Sequence, residues 1–286
     1  MNIKKIGVVG AGMMGAEIAL CFAKAGFEVK LASSGLPSAE RGKARLTGVL
    51  DKSVEKGKFE AAKRDEVVNR VHPCADHSEL ADCDYIVEAA PEVLEKKQEI
   101  FAGLDKYCKK DCIISSNTSS ISITKLAALV SEERQDKFIG VHFNSPASVM
   151  KLVEVIPGIL TDESVVETTL ELLGTIEKEP VLVKDVVGFA LNRLFHAFYL
   201  EACRLVEEGV CSAEDVDKVC VHGLGHPVGI FKLLDLLGHD LNLNVDQILF
   251  EAYGDRFRPS PQIQRLVDAG RLGRKTGKGF FDYTKK

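Results

Sequence analysis

Residues 4–34 read KKIGVVGAGMMGAEIALCFAKAGFEVKLASS, and this stretch decides the fold. Lys5-Ile6-Gly7-Val8-Val9 is a short apolar run rich in β-branched residues, the pattern of a buried strand. It stops at Gly10-Ala11-Gly12-Met13-Met14-Gly15, after which apolar residues recur at helical spacing through Ile18, Leu20, Phe22 and Ala25. Gly26 ends the helical stretch and Val29-Lys30-Leu31-Ala32 reads as a second strand. Strand, glycine turn, helix and strand form the context in which G-x-G-x-x-G signals a dinucleotide site rather than a plain structural corner. In that reading Gly10 makes the tight turn, Gly12 leaves the backbone open to a pyrophosphate, and Gly15 lets the helix pack closely on the strand. The free N–H groups of the helix start, at Met13 and Met14, then face the phosphates.

One part of the fingerprint is missing. An acidic side chain is expected about 20 residues past the glycines, where it holds the ribose hydroxyls of NAD. Ser33-Ser34-Gly35 stands there instead, and Arg41, Lys43 and Arg45 follow. Hydroxyls with a nearby cation accommodate a 2′-phosphate that an aspartate repels. The expectation is therefore that NADP is accepted as well as NAD, with Ser33 at the discriminating position.

The 286 residues suffice for two cores, and 45% hydrophobic content places the chain among ordinary globular proteins. Its net charge of −5, with lysines interleaved among glutamates, offers no basic stripe for nucleic acid. No apolar run is long enough to span a bilayer, and no leader pattern precedes the first strand, so a cytoplasmic protein is expected. Eight scattered cysteines without a C-x-x-C pair read as free thiols, and no Cys/His spacing predicts a metal site. His222 and His226 sit among glycines and a proline and read as a turn.

Strand and helix alternate through the first two thirds. Helices are expected over residues 39–68, broken at Lys56-Gly57-Lys58, and over 93–107, 123–129 and 164–175. Strands are expected over 70–72, 84–90, 112–115, 138–143, 151–156 and 180–183. Such alternation predicts an α/β fold with a Rossmann-type doubly wound sheet, whose ligands collect at the carboxyl ends of the strands. After Asp185 the periodicity becomes helical over 189–208, 213–223, 230–237 and 243–253, with Ser212 as a cap. The expected division is a dinucleotide-binding domain over residues 1–185 and an all-helical domain over 186–286, with a substrate site between them.

Polar residues crowd two of the strands. His142 ends an apolar strand in Gly140-Val141-His142-Phe143-Asn144-Ser145-Pro146, and Glu154 lies within Leu152-Val153-Glu154-Val155. A carboxylate inside such a strand needs a partner. Beside His142, it would fix the imidazole tautomer and raise its basicity, giving a general base near neutral pH. Position alone leaves open a histidine with a purely structural role.

Longer motifs carry a resemblance that runs from end to end: GAGMMG (10–15), VEAAPE (87–92), SSNTSSISIT (115–124), HFNSPASVMKLVEVI (142–156), VVGFALNRL (186–194), GHPVGIFKLLD (225–235) and GRKTGKGFFDY (273–283). The chain resembles the L-3-hydroxyacyl-CoA dehydrogenase family, and its length is similar to that of the bacterial short-chain members acting on 3-hydroxybutyryl-CoA. The resemblance implies a homodimer that interconverts (S)-3-hydroxybutyryl-CoA and acetoacetyl-CoA. His142 would take the proton from the 3-hydroxyl, Glu154 would orient it, and Ser119 and Asn192 would hydrogen-bond the substrate oxygen. Glu92, Lys97 and Asn117 would serve the cofactor side, with Glu92 and Lys97 also candidates for holding the domains together. Lys52 and Lys56 would meet the CoA phosphates. Two departures stand out. The family's His-Phe-Phe-Asn-Pro is His142-Phe143-Asn144-Ser145-Pro146 here, and its Pro-x-Gly-Pro-x-Glu-Leu is Pro227-Val228-Gly229-Ile230-Phe231-Lys232-Leu233. Two rival readings stay open: a superfamily dehydrogenase acting on a sugar acid such as L-gulonate, and a cofactor-binding protein without catalysis, as in relatives recruited as lens crystallins.

Overall fold

The computed structural model describes residues 3–284. The apolar runs form one eight-stranded sheet of order β3-β2-β1-β4-β5-β6-β7-β8. Its strands are β1 (Lys5–Val9), β2 (Glu28–Ala32), β3 (Val71–Cys74), β4 (Tyr85–Glu88), β5 (Ile113–Ser116), β6 (Phe138–Phe143), β7 (Leu152–Pro157) and β8 (Glu179–Leu182). The first six are parallel, β7 runs antiparallel to β6, and β8 is parallel to β7. Strands β4, β5 and β6 are buried along their whole length, which is why they read as continuous apolar runs rather than alternating ones. Chain order reverses between β1 and β4, so the crevice for a ligand opens beside the glycine turn that follows β1.

The connecting helices are α1 (Met13–Lys24), α2 (Leu36–Glu55), α3 (Arg64–Asn69), α4 (Leu94–Tyr107), α5 (Ile123–Ala127), α6 (Glu132–Gln135) and α7 (Glu163–Thr175). Helix α2 starts three residues before the expected Ala39, because Pro37 is already shaped for a first helical turn. The second helix of that region is shorter than expected, a 3-10 turn at Ala61–Lys63 leading into α3. Buried side chains of α1, including Ile18, Leu20 and Phe22, join Ile6, Val8, Leu31 and Val87 in the core.

From Leu191 the chain is helical: α8 (Leu191–Glu207), α9 (Ala213–Lys218), α10 (Ile230–Leu237), α11 (His239–Tyr253) and α12 (Pro261–Asp268). Helix α8 starts after the expected Phe189 because Gly188 and Phe189 both lie in the left-handed region, at φ 73° and 46°. Helix α9 stops at Lys218 and opens into a π turn over Val219–Gly223. Helix α11 starts at His239, ahead of the expected residue 243, because Gly238 at φ 104° separates it from α10. Helix α12 escaped the periodicity reading, although Ser260 followed by Pro261 is a start signal: the Ser260 hydroxyl accepts from Gln262 N at 3.2 Å.

Two compact units meet in sequence between Val186 and Val187. The second has its own core, in which Tyr199, Leu200, Phe231, Leu234, Leu249 and Ile263 are buried. No helix among the described residues is long and apolar enough to cross a membrane.

Candidate active site

The glycine turn is built to admit a dinucleotide. Gly10 has φ 107°, and a Cβ there would lie 2.5 Å from the Ala89 carbonyl oxygen. A Cβ on Gly15 would overlap the Gly10 carbonyl, whereas one on Gly12 meets nothing within 4 Å. Two glycines thus close the β1–α1 corner and the third leaves its backbone open. Outside it lies a cavity of about 770 Å³, lined by the turn itself with Met13, Met14, Ser33 and Ser34, and walled by Ala89-Ala90-Pro91. The residues present fit a nicotinamide dinucleotide, since an open backbone at a helix N-terminus suits phosphates.

Of the cations that follow Ser33, Arg45 has a defined contact. Arg45 donates through Nη1 to the Ala11 carbonyl at 2.7 Å, so it braces the glycine turn. The Ser33 hydroxyl lies 3.1 Å from that of Ser38.

The strand ends bring Ser119, His142 and Glu154 together. Antiparallel pairing sets His142 directly opposite Glu154, so their side chains project on one face. His142 Nδ1 is 2.8 Å from Glu154 Oε2, and both side chains are buried. With Nδ1–H donating to the carboxylate, Nε2 is left as an acceptor, and the Ser119 hydroxyl donates to it at 3.0 Å. The result is a hydrogen-bonded hydroxyl–imidazole–carboxylate line.

Ser119 is itself held. Glu92 accepts from Thr118 Oγ1, from the backbone N–H groups of Ser119 and Ser120, both at 3.0 Å, and from Ser120 Oγ at 3.0 Å. Burial pushes the Glu92 carboxyl up, but these hydrogen bonds and the Lys97 charge outweigh it and hold it below the usual glutamate range. Lys97 is buried, donating to Glu88 at 2.7 and 2.8 Å and lying 3.3 Å from Glu92. Its ammonium is thus committed to two carboxylates, and Lys96 is the lysine of α4 that lines the glycine-turn cavity. Asn117 Oδ1 accepts from Phe143 N at 2.8 Å, tying the end of β5 to the end of β6. Sequence reasoning missed Glu88, fully buried and also accepting from Ser116 Oγ at 2.5 Å. The signal was available, since Glu88 ends an apolar strand much as Glu154 interrupts one.

Lys52 and Lys56 are exposed, on the last turn of α2 and at its end. In the helical unit, Asn192 is the second residue of α8 and half-buried, while Ala190 occupies the cap position. Ile230 is buried in the helical core, and the Lys232 ammonium lies 5.8 Å from the Phe281 ring centroid. Ser145 is exposed after the end of β6.

Sheet order and glycine turn are those of the dinucleotide-binding α/β proteins. Residues 5–186 match the model of the 3-hydroxyacyl-CoA dehydrogenase NAD binding domain, and residues 188–283 match that of the 3-hydroxyacyl-CoA dehydrogenase C-terminal domain. The chain belongs to the 3-hydroxyacyl-CoA dehydrogenase family. It is 39% identical over 282 residues to a 3-hydroxybutyryl-CoA dehydrogenase of Clostridioides difficile, covering 98% of this chain and 100% of that one. A 3-hydroxybutyryl-CoA dehydrogenase of Bradyrhizobium diazoefficiens is 39% identical over 282 residues, 98% of this chain and 96% of the relative. Among solved structures, (S)-3-hydroxybutyryl-CoA dehydrogenase from Ralstonia eutropha superimposes with a TM-score of 0.94 at 36% identity, covering 99% of this chain and 100% of that one.

Proposed function

We propose that the chain is a dehydrogenase that interconverts (S)-3-hydroxybutyryl-CoA and acetoacetyl-CoA, with His142 and Glu154 as its acid–base pair. The observation that carries the reading is the hydrogen-bonded line Ser119–His142–Glu154, in which His142 and Glu154 are buried and Ser119 is half-buried. A bound nicotinamide supplies the hydride acceptor in one direction and the donor in the other. Neutral His142 accepts the 3-hydroxyl proton at Nε2 as hydride leaves C3, and Glu154 stabilises the imidazolium that results. In reduction the imidazolium returns the proton to the oxygen. Ser119 and Asn192 hydrogen-bond that oxygen and stabilise the charge it develops. Glu92, through the Thr118-Ser119-Ser120 backbone, sets where the Ser119 hydroxyl stands.

The family supports NAD(H), and Ser33 supports acceptance of NADP(H) as well. Residues 1–185 are read as the dinucleotide-binding domain and residues 186–286 as the substrate and dimerisation domain of a cytoplasmic homodimer. Lys52 and Lys56 are assigned to the CoA phosphates. The test is the initial rate of acetoacetyl-CoA reduction with NADH and NADPH at matched concentrations. Turnover with either supports the reading, and an NADPH preference ties Ser33 to the 2′-phosphate. No rate with either cofactor overturns it and moves the weight to a sugar-acid substrate or a non-catalytic role.

A further inference from the structure

A second cavity, of about 400 Å³, lies in the first unit away from the glycine turn. Lys24 at the end of α1, Lys58 beyond α2, Lys151 ahead of β7 and Lys178 ahead of β8 all line it, with Glu177 the one carboxylate among the lining residues. Among the described residues none of these four lysines lies within ion-pair distance of a carboxylate, although lysines elsewhere, such as Lys5, Lys30, Lys97 and Lys275, are paired. Lys178 is only 8% exposed, and its ammonium donates to the carbonyls of Ala147 at 2.5 Å and Met150 at 2.9 Å. Four lysines with a single carboxylate around one hollow make a local concentration of basic side chains in a chain of net charge −5. Phe59 also lines the cavity, its ring centroid 5.1 Å from the Lys24 ammonium. Cations around an aromatic surface are the combination that holds phosphates and stacks a base.

We propose that this cavity binds a phosphorylated nucleoside, the lysines holding its phosphates. Two sources share that chemistry: the nucleotide end of a CoA thioester, which rests on the acyl-CoA reading above and would move its phosphates here from Lys52 and Lys56, and a separate phosphorylated metabolite. The probes are adenosine 3′,5′-bisphosphate and inorganic phosphate, titrated calorimetrically into the full-length protein and into the Lys24→Ala/Lys58→Ala variant. Loss of two charge-assisted contacts raises the Kd for the bisphosphate about tenfold or more. Kinetics with acetoacetyl-CoA and with acetoacetyl-pantetheine, which lacks the nucleotide, then separate the sources. A KM raised for the CoA thioester only assigns the cavity to the substrate's nucleotide end. Unchanged KM for both, with bisphosphate binding weakened, assigns it to a separate ligand. Turnover of the pantetheine thioester tests the dehydrogenase reading independently of the cavity. The proposal is overturned if wild-type protein binds neither probe or the variant binds both as tightly. It is also overturned if Lys52→Ala/Lys56→Ala abolishes bisphosphate binding while Lys24→Ala/Lys58→Ala leaves it intact.

Discussion

In the proposed mechanism His142 serves as a base because of what flanks it. Glu154 Oε2 lies 2.8 Å from Nδ1, and in that mechanism it holds the Nδ1 proton so that Nε2 exchanges protons with substrate. Replacing His142 with Gln keeps hydrogen-bonding capacity and removes the titratable group, so kcat is expected to fall by about 10³-fold while NADH binding is retained. Fluorescence titration of NADH alongside steady-state rates checks both halves, and near-normal turnover removes His142 as the base. Glu154→Gln loses the charge opposite the imidazolium and is expected to cost about 10²-fold in kcat with little change in KM. At Ser33 the expected effect concerns choice rather than rate. An aspartate there repels a 2′-phosphate, so Ser33→Asp shifts the ratio of kcat/KM toward NADH, and an unmoved ratio sinks the assignment.

At the scale of elements, two buried carboxylates fasten segments of the helical unit to one another. Asp217 accepts from Phe231 N at 2.8 Å and Lys232 N at 3.3 Å, anchoring the start of α10 to α9. Asp235, at the other end of α10, receives His239 at 2.7 Å, Phe280 N at 2.8 Å, and Phe281 N and Tyr283 OH at 3.0 Å. Its carboxylate thus gathers the C-terminal segment that the sequence shows as GRKTGKGFFDY. Burial pushes the Asp235 carboxyl up, but the hydrogen bonds outweigh that and hold it below the usual aspartate range. A lowered folded-state pKa contributes stability above about pH 4, the ordinary aspartate value, and that stability is lost as pH falls through the folded value. Asp235→Asn is therefore expected to cost about 3 kcal/mol in urea unfolding at pH 7, with a shallower loss of stability below pH 4. Equal stability of the two proteins at pH 7 contradicts this account.

For the molecule as a whole, a cofactor that binds only folded protein adds to its stability. NADH at about 100 times its Kd is expected to stabilise the chain by about 2.7 kcal/mol, read as a rise in Tm. Gly10→Ala should abolish most of that rise, because its Cβ meets the Ala89 carbonyl at 2.5 Å from a backbone at φ 107°. A variant that keeps the full rise would show that the glycine turn does not hold the cofactor.

Residues 4–34 determined the α/β class by themselves, because strand–glycine–helix order is local and its physics is that of neighbours in sequence. The switch from alternation to helical periodicity after Asp185 is equally local. Motifs specific to the family supplied the roles expected of Ser119, His142, Glu154 and Asn192. Only tertiary structure decided what touches what. Glu154 faces His142 because β7 turns antiparallel against β6, and Lys97 meets Glu88 because α4 folds back over β4. Arg45 turned to the Ala11 carbonyl, and the four lysines of the second cavity, drawn from four segments between residues 24 and 178, share one hollow. Periodicity records burial along a single element, whereas hydrogen bonds and charge clusters depend on long-range packing that no window of sequence contains.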